Sequence, residues 1–159
     1  DCGVMISPDS NFAVVANIGR PQGDSSTVSL IDMRAEPFRV VDTVSVGSTP
    51  EGLAISPDGR LVAVGLIDGS TKPAENPFKT QGGRLILLKV DGMKLSRISE
   101  VAIGSWVQGV VFARDSRRIY VQNATDKEIQ IVHVDQDRLV DKGERIRIGT
   151  VGAALRASY

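Results

Sequence analysis

The sequence repeats itself, and that repeat limits the fold more than any other feature of it. Ile6-Ser7-Pro8-Asp9-Ser10 returns as Ile55-Ser56-Pro57-Asp58-Gly59 and, altered, as Phe112-Ala113-Arg114-Asp115-Ser116, at separations of 49 and 57 residues. A second marker, Val46-Gly47, returns as Ile103-Gly104 and Ile148-Gly149, 57 and 45 residues apart. A period of about 40–50 residues suits a propeller blade as well as a paired-helix unit, so the contents of the unit decide. In the second unit, residues 52–55, 60–67, 84–90 and 97–103 are short β-rich runs separated by turn residues. The first unit (residues 12–18, 27–33 and 39–46) and the third (residues 117–123, 128–135 and 139–148) keep the same order. No segment sustains the 3.6-residue periodicity of a helix.

Four antiparallel strands per unit, repeated radially, describe an all-β chain: a β-propeller of four-stranded antiparallel blades. We label the strands of a blade a to d. Asp58-Gly59 is expected to form the tight a–b turn and Asp91-Gly92 the c–d turn, because these residue types tolerate positive φ. The blades fall at about residues 1–47, 48–104 and 105–149 of a single partial domain. The run 153–157, within residues 150–159, aligns with strand a of a fourth. Propellers typically hold about four to eight blades. Three blades and one strand therefore read as part of a longer propeller, or as one completed by another copy, and the remaining blades are the first expected partner.

Composition removes several function classes. Nineteen Lys plus Arg balance nineteen Asp plus Glu in 159 residues, so the long-range pull behind sequence-independent nucleic-acid binding is absent, and no nucleic-acid partner is expected. One cysteine, Cys2, excludes an intrachain disulfide, and one histidine, His133, excludes the usual multi-histidine zinc sites. Residues 61–67 are apolar but only strand-sized, so no membrane span is expected. There is no glycine-rich phosphate loop, no Cys-x-x-Cys, no His-Glu-x-x-His and no nucleophile elbow, and we expect neither cofactor nor metal.

Residues 41–64, VDTVSVGSTPEGLAISPDGRLVAV, resemble the YVTN repeat, with its VG-x-x-P-x-G lead-in, SPDG turn and following apolar strand. Residues 26–32, STVSLID, are similar to the third strand of that repeat. The strand that gives the repeat its name reads AVVAN at residues 13–17 and YVQN at residues 120–123, and Trp106-Val107-Gln108 replaces the proline-containing lead-in. The resemblance implies a WD-like propeller architecture. It also implies relatives among surface-layer and periplasmic proteins, lactonase-like proteins and quinoprotein heavy chains, hence a periplasmic or extracellular setting. Architecture is implied far more strongly than activity.

Aligned repeats separate what every blade needs from what one position does alone. Leu53, Val110 and Leu155 share one strand-a position, and Ile55, Phe112 and Ala157 another, so these are expected core residues. Antiparallel alternation puts the a–b and c–d turns on one face of a propeller and the b–c loops and d–a links on the other. The b–c loop of the second blade, residues 68–83, is by far the longest and carries Asp68 and Lys72; long loops on a rigid scaffold are frequent carriers of binding groups, and also where insertions cost least. The d–a links place Cys2, Glu51, Gln108 and Ala153 at equivalent positions near the channel, with Trp106 close by. Arg156 stands where the other blades have Met5, Ala54 and Val111, and would point into the channel to meet an anion.

The expected ligand-binding set is therefore Glu51, Trp106, Gln108, Arg156, Asp68 and Lys72, serving a propeller that binds a protein, a glycan or a small molecule. The alternative is a lactonase-like or quinoprotein-type enzyme, with Glu51 as general base and Arg156 as oxyanion clamp. Trp106 also fits an ordinary packing residue at a blade junction, and His133 a solvated side chain. The sequon at Asn123 and the basic turn at residues 114–118 are short patterns that arise by chance.

Overall fold

The structure, a computed structural model, describes residues 3–19 and 25–158. These form twelve strands in three four-stranded antiparallel sheets, with no helix among the described residues. The first sheet is β1 (Val4–Ile6), β2 (Phe12–Asn17), β3 (Ser26–Asp32) and β4 (Arg39–Gly47). The second is β5 (Pro50–Ile55), β6 (Leu61–Leu66), β7 (Gly83–Asp91) and β8 (Lys94–Ile103), and the third is β9 (Val107–Phe112), β10 (Arg118–Asn123), β11 (Glu128–Asp135) and β12 (Arg138–Arg147). Within each sheet every strand pairs with its sequence neighbours, so each sheet is one blade in the order a-b-c-d. Of the runs expected as strands b and c of the second blade, residues 60–67 contain β6 and residues 84–90 lie within β7.

The repeated Ser-Pro-Asp is a turn built from side-chain bonds. The Ser56 hydroxyl donates to Asp58 Oδ1 and accepts from the Leu61 amide at 2.9 Å, while Asp58 Oδ1 accepts from the Arg60 amide at 3.1 Å. Ser7, Asp9, Asn11 and Phe12 repeat this at 2.7, 3.1 and 3.1 Å. Only the residue after the aspartate takes positive φ, and serine fills it as well as glycine: Ser10, Gly59 and Ser116 have φ of 60°, 73° and 58°.

These turns also carry a pH dependence. The Ser7 hydroxyl, followed by the Asn11 amide, holds the Asp9 carboxyl below the usual aspartate range. Burial pushes Asp58 up, but the Ser56 hydroxyl and the Arg60 amide and guanidinium together bring it below that range. The Arg117 amide, with Arg118 beside it, lowers Asp115. A lowered folded-state pKa stabilises the fold fully above the unfolded value, near about 4, and that contribution is lost as pH falls through the folded value. The thermal midpoint is therefore expected to be flat between about pH 8 and 5 and to drop below about pH 4. Replacing Asp9, Asp58 and Asp115 together by asparagine should lower the plateau and flatten the acid limb, as calorimetry at stepped pH would show.

The core is two layers, one between each pair of neighbouring sheets. Phe12, Val14, Val28 and Leu30 of the first sheet meet Leu53, Ile55, Val62, Val64, Ile86 and Leu88 of the second. Leu61, Ala63, Leu85 and Leu87 meet Val110, Phe112, Ile119, Val121 and Val132 of the third. The middle sheet is covered on both faces, so all six residues of β6 are apolar and buried, whereas β3 alternates buried and half-buried positions.

Glycines key the blades together. A Cβ on Gly52 would lie 2.4 Å from Val110 Cγ2, and one on Gly65 would lie 2.8 Å from Val107 Cγ2, so side chains of the third sheet fill space that only glycine leaves. At the far side of the third sheet a Cβ on Gly109 would lie 2.6 Å from Leu155 Cβ, repeating the Gly52–Val110 seat. The run expected as a fourth inner strand, residues 153–157, thus sets Leu155 against β9, but residues 151–158 form no strand. Polar bonds stitch the junctions further out. The Asp42 carboxylate accepts from the Leu95 amide at 2.8 Å, and the Ser99 hydroxyl accepts from the Leu139 amide at 3.0 Å. Buried Gln130 accepts from the Gly104 amide (3.2 Å) and Asn123 Nδ2 (3.1 Å), and donates to the Ala102 carbonyl (3.2 Å) and Asp141 (2.9 Å).

Candidate functional site

The inner strands β1, β5 and β9 stand side by side and leave two adjoining cavities along the axis. The larger, about 420 Å³, lies toward the Ser-Pro-Asp turns, lined by Met5, Ile6, Pro8, Leu53, Ala54, Ile55, Pro57, Val110, Val111, Leu155 and Ala157, with Arg156. The smaller, about 230 Å³, lies toward the d–a links, where Glu51, Gln108 and Arg156 join Gly3, Val4, Met5 and the Gly52 and Gly109 backbones. Arg156 borders both. An apolar chamber opening past a few polar groups is the usual make-up of a small-molecule site.

The folding of this site follows from the repeat. Glu51 and Gln108 each precede a keying glycine, so each sits at the start of an inner strand, at the same height on the axis. Arg156 follows Leu155, which is seated on Gly109, and this fixes its backbone beside β9. One Arg156 guanidinium nitrogen donates to the Leu155 carbonyl at 3.1 Å.

Three of the six expected residues thus border one cavity, and three do not. Trp106 lies outside it, 40% exposed, at φ 58°. That conformation belongs to the d–a link, since Thr49, its counterpart, has φ 55°. The Trp106 amide donates to Ser70 Oγ at 3.2 Å. Asp68 forms a two-pronged pair with Arg84, at 2.7 and 3.1 Å, and this bond raises the arginine further above its ordinary range. It anchors the base of the long loop and does not face the channel. Lys72 lies 5.2 Å from the centre of the Phe78 ring. Ala153 lines neither cavity, and Cys2 lies outside the described residues.

The long loop is packed on itself. The Gly69 amide donates to Thr80 Oγ1 at 3.1 Å, Lys79 Nζ donates to the Ser70 carbonyl at 2.6 Å, and a Cβ on Gly69 would strike the Phe78 carbonyl oxygen. It leaves Phe78 72% exposed. Phe78 and the apolar chamber were missed by sequence reasoning; a lone phenylalanine in a Gly, Pro, Asn and Lys-rich loop was the available signal. Asn123 is fully buried and bonded to Gln130, so the sequon has no accessible acceptor in this fold. His133 Nε2 lies 2.8 Å from Glu144 Oε1 on the outer part of the third sheet.

Solved structures share this architecture at low sequence identity. A putative 6-phosphogluconolactonase from Bacteroides fragilis superposes with a TM-score of 0.75 at 17% identity, over 97% of this chain and 40% of that one. A functionally unknown protein from Desulfotomaculum acetoxidans gives 0.67 at 18%, over 91% and 40%. The Cps50 (Swd1) β-propeller domain of Myceliophteria thermophila gives 0.62 at 16%, over 90% and 37%. The chain therefore spans about two fifths of the length of the propellers it matches. No protein-family model matches the sequence, and no curated protein matches it.

Proposed function

We propose that this β-propeller module binds a small molecule with an apolar body and an anionic head, entering from the face of the b–c loops and d–a links. The observation that carries this reading is the paired cavity, in which an apolar chamber opens past Glu51, Gln108 and Arg156. The body would displace water from Met5, Leu53 and Val110, and the head would meet the Arg156 guanidinium. Calorimetric titration with decanoate tests it. Arg156→Ala should weaken binding more than tenfold, about 1.4 kcal/mol, while Arg117→Ala, on the opposite face, should leave it unchanged. Equal losses for the two, or a loss only with Trp106→Ala, would place the site elsewhere.

A second reading is a lactonase-like hydrolase. It is favoured by Glu51 and Arg156 bordering one cavity. Glu51 would take the proton of a water attacking the ring carbonyl, and Arg156 would hold the oxyanion. Glu51→Gln would then abolish lactone turnover while ligand binding persists; a variant without effect on turnover would sink this reading.

A further inference from the structure

The polar mouth of the channel carries both signs of charge, and that mixture restricts what its ligand can be. Met5, Leu53, Val110 and Arg156 border both cavities, so they form the neck where the apolar chamber passes into the smaller space that also holds Glu51 and Gln108. An ionised Glu51 only accepts hydrogen bonds. Gln108 Nε2 donates to the Val107 carbonyl at 3.3 Å, which commits the amide nitrogen to the backbone and leaves Oε1 as an acceptor. Arg156 supplies the cation, a fork of donors suited to a carboxylate, with one nitrogen on the Leu155 carbonyl at 3.1 Å. Glu51 and Gln108 occupy equivalent positions of the repeat and differ, so blade packing does not dictate either.

A ligand whose head is only a carboxylate would bring its charge into a space of about 230 Å³ that Glu51 shares, where like charges repel. An ammonium beside the carboxylate turns that repulsion into attraction. It offers three donors and no acceptor, the complement of Glu51 and Gln108 Oε1, while the carboxylate is the complement of Arg156. Beyond the neck, every residue lining the larger cavity is apolar, so a polar group on the ligand's body would lose its water without gaining a side-chain partner. Met5 at the neck suits an aromatic body, since a thioether sulfur makes favourable contacts with ring edges.

We propose that the paired cavity selects an apolar α-amino acid, its ammonium on Glu51 and Gln108, its carboxylate on Arg156 and its side chain passing the neck into the chamber. This inference rests on the reading of the paired cavity as a small-molecule site, and narrows the head from an anion to a zwitterion. Calorimetric titration of the 159-residue chain with phenylalanine, hydrocinnamate and phenethylamine tests it, because the last two keep the same body with only the carboxylate or only the ammonium. Phenylalanine should bind at least tenfold more tightly than either, and at least tenfold more tightly than serine, which has the same head and a polar body. Glu51→Gln should weaken phenylalanine at least tenfold and leave hydrocinnamate unchanged or tighter. Arg156→Ala should weaken phenylalanine and hydrocinnamate and spare phenethylamine. The ligand series on the unaltered chain decides independently of how any variant folds. Hydrocinnamate and decanoate binding as tightly as phenylalanine would overturn the zwitterion and leave the anionic head standing; binding of none of these ligands would overturn both. Equal losses of phenylalanine and hydrocinnamate with Glu51→Gln would also overturn the inference.

Discussion

Phe112→Ala is expected to destabilise the chain by about 3–5 kcal/mol, the usual cost of emptying a buried phenylalanine site. Phe112 is 2% exposed at the centre of the layer between the second and third sheets. The repeat supplies its own controls. Ile55 holds the same strand position in the other layer, and Ile55→Ala should cost about 2–5 kcal/mol. Ile6 holds it on the uncovered face, and Ile6→Ala should stay within about 0.5 kcal/mol. Urea midpoints of the three variants decide the matter. Against a total stability on the order of 5–15 kcal/mol, the first loss is a large share and the last a negligible one. Similar losses at all three positions would mean that burial at the junctions is not what holds the sheets together.

Gln130→Ala should have an effect of comparable size for a different reason. Removing this amide strands Asn123 Nδ2 and takes the acceptor from the Gly104 amide, whereas Asp141 keeps its bonds to Arg145 and the Gly143 amide. Each unsatisfied buried group costs about 1–3 kcal/mol, so a total of about 2 kcal/mol or more is expected. Ser29 is its counterpart on the open face, and Ser29→Ala should cost less than about 1 kcal/mol. Denaturant titration and amide exchange at Gly104 read the difference. A small loss at Gln130 would show that water replaces its bonds and that the junction is looser than its packing.

The blades were legible in the sequence because turn and strand signals repeat in phase. Ile6, Ile55 and Phe112 mark the end of one strand in each blade, and Val46-Gly47 and Ile103-Gly104 mark the end of another. Three copies of a weak local signal overcame the ambiguity of each alone. The site was only partly legible. Glu51, Gln108 and Arg156 could be placed because inner-strand positions follow the repeat. Asp68, Lys72 and Trp106 could not, since what they face depends on a loop that occurs once. Nothing in the sequence announces that Asp68 answers Arg84, or that Ser70 reaches across to the Trp106 amide. The inter-sheet bonds of Asp42, Ser99 and Gln130 were missed too: each joins segments from different blades, and no local pattern marks its partner.

The keying glycines bear on how such a chain can grow by duplication. Between the second and third sheets the hollow is Gly65 on strand b and the filler is Val107 on the next strand a; one blade later the relation inverts, with Gln122 filling the space that Gly152 leaves, 1.5 Å from where its Cβ would be. A gene event that copied the third blade in tandem would set Val107 against Gln122, two fillers with no hollow. Blade order is therefore written into the chain as a sequence of unlike locks, and lineages that gain or lose a blade must recut the lock on either side of the change.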